Sequence, residues 1–362
     1  MISTKIVKID SSTHKKESYL KEAADILAKG GLVIIPTETV YGIAANAQNA
    51  RAMERLSRIK ERPKNKSFSL HIYEKEKVEC YAWGIPVLAY KLMNKFWPGP
   101  LTLIFKSRHN VDTGGNNTDT IGMRIPDNNF ALKVIALSAV PVVCPSANLS
   151  GKPAPADFQD AIKDLDGLVD FAIDAGRTTL GAESTIVDLA VEPVRVLREG
   201  AIKKEDIEAA LKKKTVIFIC TGNSCRSVMA KFLLEKALED KNRNDVEVLS
   251  AGIMMLKGLK ASEEVKGLLA NEGIDSSAHR SQMVTREMLK RSDIILVMER
   301  LHEKRIVEMV PEAKNRLFLL KEFAKMNDND LGIADPIGRP FDFYAETMGI
   351  IKEAVERISN LI

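Results

Sequence analysis

The 362-residue chain carries only four cysteines, Cys80, Cys144, Cys220 and Cys225. They are too few and too scattered for a disulfide framework, so a reducing, cytoplasmic setting is expected. No run of 18 apolar residues occurs, which excludes a helical membrane span, and no membrane partner is expected. The first residues, MISTKIVKIDSSTHKK, lack the apolar core of a secretory signal peptide. No internal repeat and no low-complexity segment is visible. What is present is the composition of a soluble globular protein, 45% hydrophobic and 28% charged. The length is too great for one comfortable core, so two domains are expected. Net charge is +4, with the positive excess lying before residue 215. That asymmetry fits an anionic ligand or nucleic acid for the first half, although lysine-rich surfaces are usually just solvated.

The rest of the chain is organised around TVIFICTGNSCRS, residues 215–227. Val216 to Ile219 form a short apolar run that reads as a buried strand. Gly222 and Asn223 suit a tight loop, because both tolerate left-handed backbone. A helical pattern then starts at Arg226. Five residues separate Cys220 from Arg226. This spacing lets successive backbone N–H groups face one tetrahedral oxyanion, with a helix N-terminus adding its positive end. The same field favours a thiolate at Cys220, a nucleophile at neutral pH. Arg226 supplies a planar fork for two phosphate oxygens. A nucleophile in an anion cradle suits phosphoryl transfer through a cysteinyl-phosphate. Asp335, in the loop ADPIGRPFDFY, is the expected acid for the leaving group.

The Cys220–Arg226 loop just after the first strand, with Asp335-Pro336 near the C-terminus, resembles the low-molecular-weight protein tyrosine phosphatase family. SAG at 250–252, GIDSSAHRSQMVT at 273–285 and SDIILVM at 292–298 extend the resemblance over 215–362. It implies a parallel sheet flanked by helices and no cofactor. It also implies that Cys220 attacks phosphorus, Arg226 stabilises the transition state and Asp335 protonates the leaving group. Asn223 would hold the loop and Ser227 would donate to the Cys220 thiolate. Cys225 reads either as a redox partner for Cys220 or as a small buried filler. Tyrosine-selective members usually carry an aliphatic residue at the position of Ser224 and aromatics after Asp-Pro. Here Ser224 and Ile337-Gly338 are closer to the bacterial branch that includes protein-arginine phosphatases. Phosphotyrosine and phosphoarginine both stand as phosphoprotein substrates, with a lean to the second. Val228 replaces a proline usual in the family.

The first half alternates helices and strands in the manner of an α/β fold. Helices are expected at 18–29, 50–60, 87–95, 130–139 and 202–213. Strands are expected at 32–35, in an alternating stretch ending at Ile72, in a turn-into-strand stretch over 96–105, at 120–126 and from 141. A late hairpin is expected over 181–200. Several loops place Thr, Ser, Lys and Arg directly after strands, where α/β proteins bind ligands. Lys60, Arg62 and Lys66 lie close enough to hold a polyphosphate, although charge alone favours a solvent-facing basic loop.

PTETVYG at 36–42, Lys60-x-Arg62, WPGPLT, TIGMRIP, PSANLSG, ESTIVDL and LREG occur in an order similar to that of the YrdC-like threonylcarbamoyl-AMP synthase family, over about 10–205. The resemblance implies a twisted α/β sheet. It implies an enzyme that joins L-threonine, bicarbonate or CO2, and ATP into threonylcarbamoyl-AMP, releasing pyrophosphate for threonylcarbamoyladenosine modification of tRNA. By motif match, Lys60, Arg62 and Lys66 would hold ATP phosphates, with Arg198 helping. Thr120, Ser146, Asn148 and the backbone near Cys144 would form the nucleotide wall. Thr39, His71, Arg124 and Ser184 would hold threonine. Without the motif, His71 reads as a hydrogen-bonded core histidine. Mg2+ would accompany the ATP phosphates and no protein-built metal site is expected. Downstream tRNA-modification proteins are the implied partners, and tRNA a further one. Some synthases of this family carry a C-terminal domain that closes over the site; here the phosphatase-like domain takes that place.

The expected domains are 1–205, a linker and helix end at 206–214, and 215–362. The leading reading is a bifunctional enzyme. The alternative is an RNA-binding module fused to a phosphatase or to a phospho-binding regulatory domain.

Overall fold

Leu20, Ala23 and Leu27 recur at helical spacing and are fully buried, which is why Lys16–Ala28 forms an amphipathic helix on the first core. In the computed structural model, residues 3–9, 15–61, 67–114, 119–254 and 258–362 are described. The chain divides into two compact units, Met1–Ala210 and Leu211–Ile362.

In the first unit, eleven strands join one mixed sheet. They are β1 (Lys5–Lys8), β2 (Val33–Ile35), β3 (Gly42–Asn46), β4 (Leu70–His71), β5 (Ala82–Trp83), β6 (Leu101–Ser107), β7 (Thr120–Arg124), β8 (Val142–Val143), β9 (Phe171–Asp174), β10 (Thr185–Asp188) and β11 (Arg195–Arg198). The order is β1-β9-β2-β3-β8-β4-β7-β6-β10-β11, with β5 against β6. The helices Lys16–Ala28 and Asn129–Ser138 cover one core, built from Leu20, Val33, Ala44, Val134, Val142 and Phe171 among others. The second of these helices begins where the Asn128 side chain accepts from the Phe130 and Ala131 N–H groups. Lys204–Lys212 is the last helix to begin in this unit.

The expected hairpin is present as the antiparallel pair β10–β11. The expected alternation before Ile72 holds from Ser67 to Leu70, where half-buried Ser67 and Ser69 alternate with buried Phe68 and Leu70, and breaks at buried His71. Phe68, Leu70, His71 and Ile72 are all buried, and β4 pairs with β7 on one side and β8 on the other. A central strand covered on both faces loses the inside-outside alternation of a half-exposed one. Four strands have no counterpart in the sequence reading: β1, β3, β5 and β9. β3 is GIAAN, too small and mixed to read as a strand, yet entirely buried.

The second unit is a four-stranded parallel sheet in the order β13-β12-β14-β15. Its strands are β12 (Lys214–Cys220), β13 (Val246–Gly252), β14 (Ile294–Val297) and β15 (Leu317–Leu319). β12 is central, and its residues alternate between two cores. Val216 and Phe218 pack with the helices Arg226–Asp240 and Phe341–Ile358. Ile217 and Ile219 pack on the other face with Leu289 and Ile306. Met348, Ile351, Ala354 and Ile358 recur at helical spacing along Phe341–Ile358 and are all buried.

Candidate active sites

The first site lies where strand ends of the first unit meet. A cavity of about 230 Å³ is lined by Thr39, Lys60, His71, Arg124, Cys144, Ser146, Ser184 and Arg198, together with Thr37, Gly42, Thr102 and Glu183. Arg124 ends β7 and lies in register opposite His71 at the end of β4. Its Nη2 donates to Glu38 Oε1 at 2.6 Å and to Thr39 Oγ1 at 2.8 Å, while Nε donates to the Gly99 carbonyl at 3.2 Å. Arg124 and Glu38 are both buried, with side chains 6% exposed. Such a pair is desolvated, so its geometry is held tightly. His71 is buried and its Nδ1 faces the Ser69 carbonyl at 3.4 Å. Burial, reinforced by the Arg124 charge, pulls its pKa down to about 3, so the ring is neutral. His71 is therefore both a core histidine and a cavity wall.

Lys60 caps the helix Ala50–Ile59 at its C-terminal end and reaches the PSANLSG loop. Its Nζ donates to the Ser146 carbonyl at 3.0 Å and to the Asn148 carbonyl and Oδ1 at 2.8 Å each. Ser146 Oγ donates to Asn148 Oδ1 at 2.6 Å. On the opposite wall Arg198 Nη2 donates to the Ser184 carbonyl at 2.8 Å, and Nη1 pairs with Glu183 at 2.7 Å. Ser184 Oγ lies 3.0 Å from Thr102 Oγ1. Gly42 is required for close approach: a Cβ there would stand 2.3 Å from Cys144 Sγ. Burial pushes the Cys144 thiol up to about 12, so it is a neutral wall group.

Asn148 acts on the cavity through Lys60 and Ser146. Thr120, at the start of β7 beside Lys106, is not among the lining residues. Arg62 and Lys66 lie outside the described residues. The sequence reading missed Glu38, Thr37, Thr102 and Glu183. Glu38 and Glu183 stood inside the quoted motifs, but their acidity gave no reason to place them beside anion-binding groups.

The second site is at the carboxyl end of β12. Cys220 is 3% exposed there. Its Sγ lies 3.0 Å from Ser227 Oγ and receives the Asn223 N–H at 3.3 Å. Asn223 has φ of +54°, the left-handed backbone a tight loop needs. Its side-chain amide donates to Ser227 Oγ and Ser250 Oγ, both at 3.0 Å, and its Oδ1 accepts the Gln282 N–H. His279 Nε2 donates to the Asn223 carbonyl at 2.8 Å. The SAG strand fits against this loop because Gly252 has no side chain; a Cβ would come 2.7 Å from the Thr221 carbonyl.

Arg226 opens the helix and is 1% exposed. Nη1 donates to Glu299 Oε2 at 2.6 Å and to the Ile333 carbonyl at 2.7 Å. Nη2 donates to Thr221 Oγ1 at 3.1 Å and to Asp335 Oδ2. Among the described residues, the buried Nε has no hydrogen-bond partner. A buried unmet donor is costly, and a bound anion would meet it. Thr221 Oγ1 also lies 3.0 Å from His302 Nε2. Burial and the Arg226 charge pull His302 down to about 4, keeping it neutral.

Cys220, Asn223 and Ser227 thus share one hydrogen-bond network, and Arg226 and Asp335 share a second. Cys225 is 3% exposed and burial pushes its thiol up. Val228 N–H donates to the Cys225 carbonyl at 3.0 Å, a bond that a proline there could not make. Thr221, Glu299 and His302 were missed. Glu299 follows directly on the SDIILVM motif, so a reading extended by one residue would have reached it.

No helix among the described residues is long and apolar enough to cross a membrane. Nor do they hold a group of three His, Cys, Asp or Glu side chains placed for a metal ion.

The Sua5_yciO_yrdC family, described as "Telomere recombination", matches residues 25–200. The low molecular weight phosphotyrosine protein phosphatase family matches residues 215–361. A threonylcarbamoyl-AMP synthase of Pyrococcus abyssi is 41% identical over 54% of this chain and 58% of that protein. A Methanocaldococcus jannaschii relative described by the same activity is 35% identical over 56% of this chain and 95% of its own length. A protein-arginine-phosphatase of Geobacillus stearothermophilus is 39% identical over 40% of this chain and 93% of that protein. The chain spans only about three fifths of the length of the Pyrococcus abyssi and Bacillus subtilis synthases that it matches. A crystal structure of P. abyssi Sua5 complexed with L-threonine aligns with a TM-score of 0.52 at 26% identity, covering 88% of this chain and 99% of that one.

Proposed function

Since the chain belongs to the Sua5/YciO/YrdC family through its first unit and to the low molecular weight phosphatase family through its second, we propose that it is a bifunctional enzyme, a threonylcarbamoyl-AMP synthase joined to a protein phosphatase. The proposed functional boundaries are 1–205 and 215–362, with 206–214 joining them.

In the first unit the carrying observation is the convergence of Lys60, Arg124 and Arg198 with the hydroxyls of Thr39, Ser146 and Ser184 on one cavity. Threonine, bound in the P. abyssi structure, would present its carboxylate to Arg124, with Thr39, Ser184 and neutral His71 around it. Carbamate oxygen must then attack the α-phosphorus of ATP, releasing pyrophosphate. That step needs neutralised phosphates and a fixed line of approach. Lys60 and Arg198, with Arg62 and Lys66 of the same sequence motif, would grip the phosphates. Ser146, Asn148 and the Cys144 backbone would wall the nucleotide, and Thr120 would add a contact to it. The hydroxyl and cation lining fits a polyphosphate, and Mg2+ riding on that polyphosphate would supply further charge neutralisation. The product would pass to tRNA-modifying proteins, with tRNA a further candidate partner. Threonine-dependent pyrophosphate release by the fragment 1–205 tests the reading; no release from either the fragment or the full chain would refute it.

In the second unit the carrying observation is the unmet Nε of buried Arg226, which opens the helix that follows the strand ending in Cys220. Phosphate oxygens would take Nε and Nη2, and Cys220 Sγ would attack phosphorus opposite the leaving group. Asp335 would give that group its proton, and water would then hydrolyse the cysteinyl-phosphate as Ser227 stabilises the departing sulfur. Ser224 offers a hydroxyl at the loop's edge, better matched to a phosphoguanidinium than to a phenyl ring. Comparing catalytic efficiency on a phosphoarginine substrate and a phosphotyrosine peptide tests the choice. A strong preference for phosphotyrosine would remove the role given to Ser224.

A further inference from the structure

The hydroxyl of Thr221 stands inside the second site with both of its acceptor positions used. Arg226 Nη2 donates to Thr221 Oγ1 at 3.1 Å. The second contact comes from His302, whose Nε2 lies 3.0 Å away. The direction of that bond is fixed from the far side of the ring. Glu299 donates its backbone N–H to His302 Nδ1 at 3.1 Å, the return half of a capping box at the start of the helix Arg300–Met309. A neutral imidazole that accepts at Nδ1 carries its proton on Nε2. His302 is fully buried, so no water competes for this arrangement. The His302 ring therefore donates to Thr221, as Arg226 does. A hydroxyl oxygen has two acceptor positions and one proton to give. With two donors already on it, Thr221 can act only as a donor toward any third group.

Resting on the phosphatase reading above, we propose that Thr221 donates its hydroxyl proton to the phosphoryl group held by Arg226, and that His302 is the positioning residue that forces it to do so. A threonine in a phosphate loop otherwise rotates its hydroxyl freely, and half of its uses would present a lone pair to the anion. Here the orientation is set before the substrate arrives, which is what electrostatic stabilisation of a developing charge requires. Thr221 has a second advantage. It shares Nη2 with Asp335, so its proton is delivered beside the face of the guanidinium that a phosphate must occupy.

The test uses the full chain, p-nitrophenyl phosphate as substrate and inorganic phosphate as competitive inhibitor. Thr221→Val should lower kcat/KM and weaken phosphate inhibition by about tenfold each, the effect of losing a hydrogen bond to a charged group. Thr221→Ser, which restores the hydroxyl, should recover most of that loss. His302→Leu should reproduce the Thr221→Val loss, and His302→Gln, whose amide can replace the ring donor, should rescue it. The double variant Thr221→Val/His302→Leu should be no worse than Thr221→Val alone, because both changes remove one interaction. Thermal midpoints of all variants separate this from simple unfolding. An active wild type whose Thr221→Val variant keeps its phosphate inhibition constant within twofold overturns the proposal. So do multiplicative losses in the double variant. A wild type that hydrolyses no phosphate ester at all overturns the phosphatase reading itself, and this inference with it.

Discussion

Asp335 rests on Arg226, its Oδ2 accepting a hydrogen bond from Arg226 Nη2. The proposed acid therefore sits where one oxygen of a bound phosphate would bond. A carboxylate and a phosphate compete for the same donor and repel each other. Asp335→Asn should lower kcat on a substrate with a poor leaving group by about 10²–10⁴-fold, the usual scale of general acid catalysis. The same variant should bind inorganic phosphate more tightly, read as a lower inhibition constant. Equal or weaker inhibition would show that the carboxylate does not compete for Arg226.

In the first unit the Arg124–Glu38 pair is buried on both sides. Glu38→Ala would leave the guanidinium with Thr39 and the Gly99 carbonyl alone. Removing one partner of a buried pair costs about 3–5 kcal/mol. Urea unfolding should show that loss in the transition of the first unit, and threonine-dependent pyrophosphate release should fall with it. The double variant Glu38→Leu/Arg124→Met should lose less stability than Glu38→Ala while remaining inactive. A larger stability loss in the double variant would contradict the account.

Gly42→Ala tests the close approach of β3 to Cys144. A methyl placed 2.3 Å from Cys144 Sγ must push the sulfur or the strand aside. Overpacking of this kind costs about 1–3 kcal/mol. Adding Cys144→Ala should restore most of the thermal midpoint lost in Gly42→Ala, since it removes the atom that is struck. Additive losses would place the strain elsewhere.

Acid should weaken the first unit through His71. Its pKa is about 3 in the fold, against about 6.5 for a free histidine. Below about pH 6.5 the unfolded chain binds a proton that the folded chain refuses. The stability carried by the neutral ring is thus complete above that pH and is lost as pH falls toward 3. The slope approaches about 1.4 kcal/mol per pH unit. Urea titrations at pH 7, 6, 5 and 4 should show it, and His71→Gln should flatten the curve. An unchanged slope in the variant would assign the acid sensitivity to other groups.

The second site was the more legible of the two in the sequence. Cys220, Asn223, Arg226 and Ser227 lie on one strand-loop-helix turn, so spacing alone fixes much of their geometry. Thr221 lay in the same stretch, yet nothing local marks it, because His302 reaches it from another strand–helix connection. The first site is assembled differently. Thr39, Lys60, Arg124 and Ser184 come from four separate stretches of the chain, and only motif order related them. Glu38 shows the limit most plainly: its pairing with Arg124 depends on β7 ending beside the loop 36–42, a product of strand order.

Strand order also has a consequence for synthesis. β9 lies between β1 and β2, with Lys5 paired to Phe171 and Val33 to the same residue. A nascent chain leaving the ribosome exposes β1 and the open edge of β2 until nearly the whole first unit has been made. Such long-range closure is slow, and an unpaired buried-type edge invites association with other chains. The second unit begins differently, because β12 meets β13 after a single intervening helix. Stalled chains ending before residue 171 should therefore be the species that a cell's chaperones hold longest.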